Sequence, residues 1–189
     1  MSESRLTIKN VRFSYAHVFQ PDENEKYSVA ILIRKDDPQV PVIKNAIENA
    51  VREGAGKLGP RFRLDITKVL HDGDVQKLGD EAYAGCFYLN AKSARKPAVV
   101  KLNTTGVGGH TMAITDEDEF YSGCYGAANV GFFAYSTQGN AGIGCGLNSV
   151  LKLKDGERLG GSSVEADYGD LAREAVEAIK ELNEEEEVF

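Results

Sequence analysis

The chain has no tryptophan, three cysteines and three histidines in 189 residues, and each shortage removes a class of chemistry. Cys86, Cys124 and Cys145 stand far apart, with no Cys-x-x-Cys pair and no neighbouring histidine cluster. Neither zinc nor a disulfide framework is supported, and buried free thiols are the expected state. His17, His71 and His110 fall in unrelated segments without the companions of a triad or a metal site. No apolar run approaches the roughly 18 residues that a membrane span needs. The start, Met1-Ser2-Glu3-Ser4-Arg5, lacks a charged-then-apolar signal segment, so no membrane partner is expected and a cytoplasmic location is. Gly142-Ile143-Gly144-Cys145-Gly146 resembles a phosphate loop by composition only. It lacks the Lys-Ser/Thr of a P-loop and sits inside a strand pattern, where close backbone packing is the better account. Asp116, Glu117, Asp118 and Glu119 place four acids on one loop. Adjacent carboxylates cannot all turn inward, and metal sites collect ligands from separate elements, so a solvated turn is expected. With no convergent catalytic set, no cofactor and no metal expected, the chain does not read as an enzyme.

Positive charge is also scarce overall, with 22 Lys+Arg against 29 Asp+Glu and a net charge of −7. The deficit is local. Residues 163–189 hold 2 basic and 10 acidic side chains, a charge of −8, while residues 1–162 hold 20 and 19, a charge of +1. A balanced body can carry a basic groove that an acidic tail in cis would compete for, so the overall charge does not exclude a nucleic-acid partner. The tail ends Glu184-Glu185-Glu186-Glu187-Val188-Phe189. Four carboxylates in a row repel and cannot pack, yet the tip is aromatic. An acidic peptide ending in a ring is suited to be a hook, steered by charge and anchored in a pocket on another protein.

An apolar content of 42% supports a real core, and the pattern along the chain is mostly β. Residues 5–13 alternate, residues 27–33 form a β-branched run, and residues 82–92, 97–102, 121–135 and 143–153 read as further strands. The last two are joined by the turn Gln138-Gly139-Asn140. Between the second and third strands the period changes: Val40, Ile43, Ala46, Ile47, Ala50 and Val51 recur at three and four. Asp37 is the expected cap, Pro38 the first helical residue, and Gly54 and Gly56 the stop. Residues 61–70 are ambiguous, and residues 104–119 read as a polar loop. After a hinge at Gly160-Gly161-Ser162-Ser163, Leu171, Ala175, Ala178, Ile179 and Leu182 line one face of a last helix. The expected fold is mainly β: a Greek-key barrel of five to six strands with one inserted helix, plus a C-terminal helix and acidic tail. The expected domains are 1–161 and 162–189.

What the chain has in quantity is rings and cations interleaved on strands. Single-stranded nucleic acid is bound by that combination, because rings stack on bases and cations track phosphates. Strand alternation sends half of each group inward. Phe87 is assigned to the core and Tyr88 and Lys92 to the open face. Val130, Phe132 and Ala134 are assigned inward, with Phe133 and Tyr135 outward. The candidate binding residues are Arg12, Tyr15, Tyr88, Lys92, Arg95, Lys96, Lys101, Phe133 and Tyr135, expected to form one continuous trough.

The stretches Val11-Arg12-Phe13-Ser14-Tyr15-Ala16-His17-Val18-Phe19, Asp80-Glu81-Ala82-Tyr83-Ala84-Gly85, Leu89-Asn90-Ala91 and Tyr121-Ser122-Gly123-Cys124-Tyr125-Gly126 resemble single-stranded DNA-binding proteins of tailed bacteriophages, a family first known only as a domain of unknown function. The resemblance spans roughly residues 6–161. It implies an OB-fold that coats single-stranded DNA in phage replication and recombination without sequence preference, acting in the host cytoplasm. It also implies a tail that recruits replication proteins such as a polymerase, helicase or nuclease, and that occupies the DNA groove when DNA is absent. Without tryptophan, Tyr and Phe must do all the stacking. The oligomeric state stays open, a homodimer being one option. Two other readings compete: a phage structural or adaptor protein, and a metal-dependent nuclease built on Asp116.

Overall fold

The structure, a computed structural model, describes residues 4–159 and 164–186. In chain order the elements are β1 (Arg5–His17), β2 (Tyr27–Arg34), α1 (Val40–Glu53), α2 (Ala55–Leu58), β3 (His71–Asp72), α3 (Gly73–Gln76), β4 (Cys86–Ser93), β5 (Ala98–Leu102), β6 (Thr111–Ala113), β7 (Tyr125–Thr137), β8 (Asn140–Lys154) and α4 (Val164–Glu186). They divide into two compact units, Met1–Leu159 and Gly160–Phe189.

All eight strands belong to one sheet, in the order β3-β4-β2-β1-β7-β8-β5-β6. It closes on itself because β8 also pairs with β4, in parallel, at Lys92 and Gly146. The result is a five-stranded barrel of β1, β2, β4, β8 and β7, with β5 and β6 continuing the sheet beyond the closure. Closure removes most free edges. Ile8, Phe13, Ile31, Leu89, Val130 and Leu147 fill the interior.

One end of the barrel is plugged by α1, whose Val40, Ile43, Ala46, Ile47 and Ala50 recur at helical spacing and are buried. The helix begins two residues later than the sequence suggested. Gln39 occupies the cap position without capping. Its amide instead accepts from the Lys9 N–H at 2.8 Å and donates to the Lys9 carbonyl at 2.7 Å. Those groups are free because β1 bulges between Ile8 and Val11, where Asn10 adopts φ 55°. Asp37 only holds the preceding turn, accepting from Gln39 N–H at 2.8 Å.

Strand β2 is buried on both faces. Val29, Ile31 and Ile33 face the barrel core, while Ala30 and Leu32 meet Tyr83 and Tyr88 in a second small cluster outside the wall. That cluster exists because residues 73–85 cross the outer face of β2 and β4. Residues 82–85, expected to begin a strand, are instead the last turn of this crossing segment, and β4 starts at Cys86. Lys35 ties the segment down through Asp72 and Asp74, each at 2.7 Å.

The second unit holds α4, which continues through Glu184, Glu185 and Glu186. Acidic residues in a last turn oppose the helix dipole. Leu171, Val176, Ile179 and Leu182 are all exposed by half or more. Glu187, Val188 and Phe189 of the expected hook lie outside the described residues, as do the side chains of Glu184, Glu185 and Glu186.

Candidate nucleic-acid interface

Strands β7 and β8 run past the barrel as a hairpin with one face open. Val130 and Phe132 point inward, and Phe133 and Tyr135 point out, 52% and 40% exposed. Their cross-strand partners are Gly144 and Gly142. Each ring folds across the hairpin onto the glycine opposite. A Cβ on Gly144 would stand 2.5 Å from Phe133 Cζ, and one on Gly142 would stand 2.6 Å from the Tyr135 hydroxyl. The glycines are therefore a floor for rings rather than a phosphate loop. Two residues of strand separate the rings, about 7 Å. One side of each ring rests on backbone and the other faces solvent, the geometry a stacking surface needs.

The next glycine on the same face, Gly146, lies 3.6 Å from Phe133 Cε1 by the same measure and is the residue paired with Lys92 of β4. Lys92 is exposed, and Arg95 and Lys96 follow in the turn after β4. The Lys96 ammonium sits 5.7 Å from the centre of the Phe19 ring. Asp22 is the acid near this group. Its carboxyl is held below the usual range chiefly by the Lys26 N–H at 3.0 Å, then by Asn24 N–H at 2.8 Å and the charges of Lys92 and His17. The Phe133 ring thus reaches the seam between β4 and β8 where Lys92 lies, and Tyr135 sits two residues further out along the hairpin.

Tyr88 and Lys101, expected on the open face, are placed differently. Tyr88 is 4% exposed, not open. It stacks on His71 at 4.8 Å and meets Tyr83 edge-on at 5.1 Å, under the 73–85 segment. Alternation sends it to the outer side of β4, as expected, but that side is covered. Phe87, assigned to the core, packs against it half-buried, with the Lys35 and Lys44 ammonium groups 5.4 and 5.6 Å from its ring centre. Lys101 sits on β5, beyond the closure, paired with Glu119 at 2.5 Å.

Arg12 and Tyr15 form a separate group on β1. Arg12 donates to the backbone carbonyls of Gly123 at 3.1 Å and Glu157 at 2.8 Å, and lies over Tyr125 at 5.1 Å. It fastens the segment after β8 to the barrel. Tyr15, turned outward at φ 46° by a second bulge, is 55% exposed, with Lys77 at 5.1 Å from its ring centre. Tyr121 likewise lies under Arg158 at 4.4 Å. These rings already carry a cation, whereas none lies over Phe133 or Tyr135 among the described residues. The one expected trough is therefore two groups, divided by the 73–85 segment.

Sequence reasoning missed a third source of cations. Residues 54–69 contain Lys57, Arg61, Arg63 and Lys68 against the single acid Asp65, and all four are exposed. Lys57 lines a cleft of about 480 Å³ beside Phe133, and Arg63 and Lys68 line one of about 310 Å³ beside Tyr135. The signal was there as local charge in the stretch left ambiguous for secondary structure. The acidic loop, by contrast, is a turn: Asp116 accepts from Asp118 N–H at 2.9 Å, Glu117 from Gln20 at 3.2 Å, and Glu119 pairs with Lys101. Cys124 and Cys145 are buried and Cys86 half-buried, all free. Burial raises all three thiols, Cys145 to about 12.

A five-stranded barrel closed by a parallel β4–β8 pair, with rings and cations on one outer seam, defines the class: an OB-type barrel with a surface suited to an extended polyanion. The chain matches the family described as "Enterobacter phage Enc34, ssDNA-binding protein" over residues 4–179 and belongs to that family, whose members bind rather than catalyse. A curated relative from Acyrthosiphon pisum secondary endosymbiont phage 1, a putative protein p50, is 28% identical, with 89% of this chain and 94% of the relative covered. The single-stranded DNA-binding protein of bacteriophage Enc34, solved in complex with ssDNA, shares the fold at a TM-score of 0.70 and 24% identity, with 83% of this chain and 90% of that chain covered. Its C-terminally truncated form gives a TM-score of 0.67 at 23% identity, covering 82% and 88%.

Proposed function

We propose that this protein binds single-stranded DNA without sequence preference and coats it during phage replication and recombination. The observation that carries the reading is the pair Phe133 and Tyr135, open on one side, seated on a glycine floor and adjoining Lys92. Bases stack on the two rings irrespective of identity, and Lys92, Arg95 and Lys96 neutralise phosphates along the seam. Family membership supports the same reading. The acidic C-terminal segment recruits replication proteins and competes with DNA for the seam, in line with its local charge of −8. Retention on single-stranded rather than duplex DNA at moderate salt tests the binding. An adaptor protein would be retained on neither, and a nuclease would consume a labelled strand in magnesium.

A further inference from the structure

Past Tyr135 the open face of the hairpin does not end in solvent. Residues 62–69 rise beside the hairpin tip and enclose the cleft of about 310 Å³, room for one nucleotide but not for a folded partner. Its lining brings Tyr135, seated on Gly142, together with Arg63 and Lys68. Asn140 at the tip offers an amide that donates and accepts, which suits any base edge. Arg63 is pre-positioned, because one of its terminal nitrogens donates to the Phe62 carbonyl at 2.9 Å. The rest of its planar fork is available for a phosphate. Asp65 is the one acid in the lining, and its carboxylate is already engaged by Thr67, accepting from the hydroxyl at 2.6 Å and the N–H at 3.1 Å. That capping turn also holds Lys68, the last residue of the single 3₁₀ turn Ile66–Lys68, in place.

We infer that this cleft is a nucleotide subsite extending the binding track beyond Tyr135, with the base against the ring and the phosphate between Arg63 and Lys68. The inference rests on the proposed single-strand binding. It predicts that the track runs from Lys92 across Phe133 and Tyr135 to the 62–69 segment, rather than across β2, whose outer face the 73–85 segment covers.

The test is the salt dependence of affinity for a labelled twenty-nucleotide oligo-dT, measured on the full chain. The double variant Arg63→Ala, Lys68→Ala should bind roughly tenfold more weakly near 0.1 M salt. Its plot of log K against log salt should be shallower by about 0.7, the loss of one neutralised phosphate. The thermal midpoint should not move, since both side chains are exposed, and the charge-matched control Lys9→Ala, Lys44→Ala should keep the parental slope. If the parent binds and Phe133→Ala weakens it, yet the Arg63/Lys68 variant matches the parent in affinity and slope, the subsite is refuted and single-strand binding stands. A parent that does not bind the oligonucleotide overturns both.

Discussion

At the scale of single residues, glycine decides what the rings can do. Gly144→Ala would place a methyl 2.5 Å from Phe133 Cζ, so the ring must lift off its seat although no ring is removed. Affinity for single strands should fall towards that of Phe133→Ala, about 1–3 kcal/mol or five- to 150-fold in a titration, with the thermal midpoint little changed. Tyr88→Ala should do the reverse. The ring is buried against His71 and Tyr83, so its loss costs stability of about 3–5 kcal/mol, seen as a lower denaturation midpoint, and bears on DNA only through the fold. The contrast also marks what alternation can say. It fixes which side of a strand a residue occupies, and it identified Phe133 and Tyr135 because the hairpin overhangs the barrel with one side bare. It failed at Tyr88 because openness depends on a segment arriving from elsewhere in the chain.

That segment sets the behaviour at the scale of elements. Residues 73–85 bury two polar atoms without hydrogen-bond partners, His71 Nδ1 and the Tyr83 hydroxyl. Ser14 lies near the hydroxyl, outside bonding geometry. Burial drives the His71 imidazole below its ordinary value and the Tyr83 phenol up to about 12. The signs give a stability window. A depressed histidine contributes stability above its unfolded value, near 6.5, that is lost as pH falls through its folded value. A raised tyrosine contributes stability below about pH 10 that is lost as pH rises towards 12. Melting curves should therefore show the parent losing stability from pH 7 to pH 5, and His71→Gln should flatten that acid slope. Little of this was legible beforehand, because Tyr83 sits in a run of residues that reads as strand, and only the turn at Gly85 separates it from β4. The barrel strands were legible, being long and apolar with clear turns between them. The α1 boundary was not, because the Gln39 amide answers a bulge thirty residues earlier.

For the molecule as a whole, charge is divided between units, +1 in residues 1–162 and −8 in residues 163–189. Deleting residues 183–189 should tighten DNA binding or leave it unchanged, by removing a competing anion. A truncation that weakened binding would count against self-competition. Removing Phe189 alone should spare DNA and reduce capture of a replication partner. The proposal that binding is carried by open rings on the glycine floor is tested most directly by the double variant Phe133→Ala, Tyr135→Ala. In fluorescence anisotropy with a labelled oligo-dT it should bind at least about thirtyfold more weakly than the parent, the sum of two stacking losses, with the same melting temperature. Equal affinity in the double variant and the parent would contradict the account.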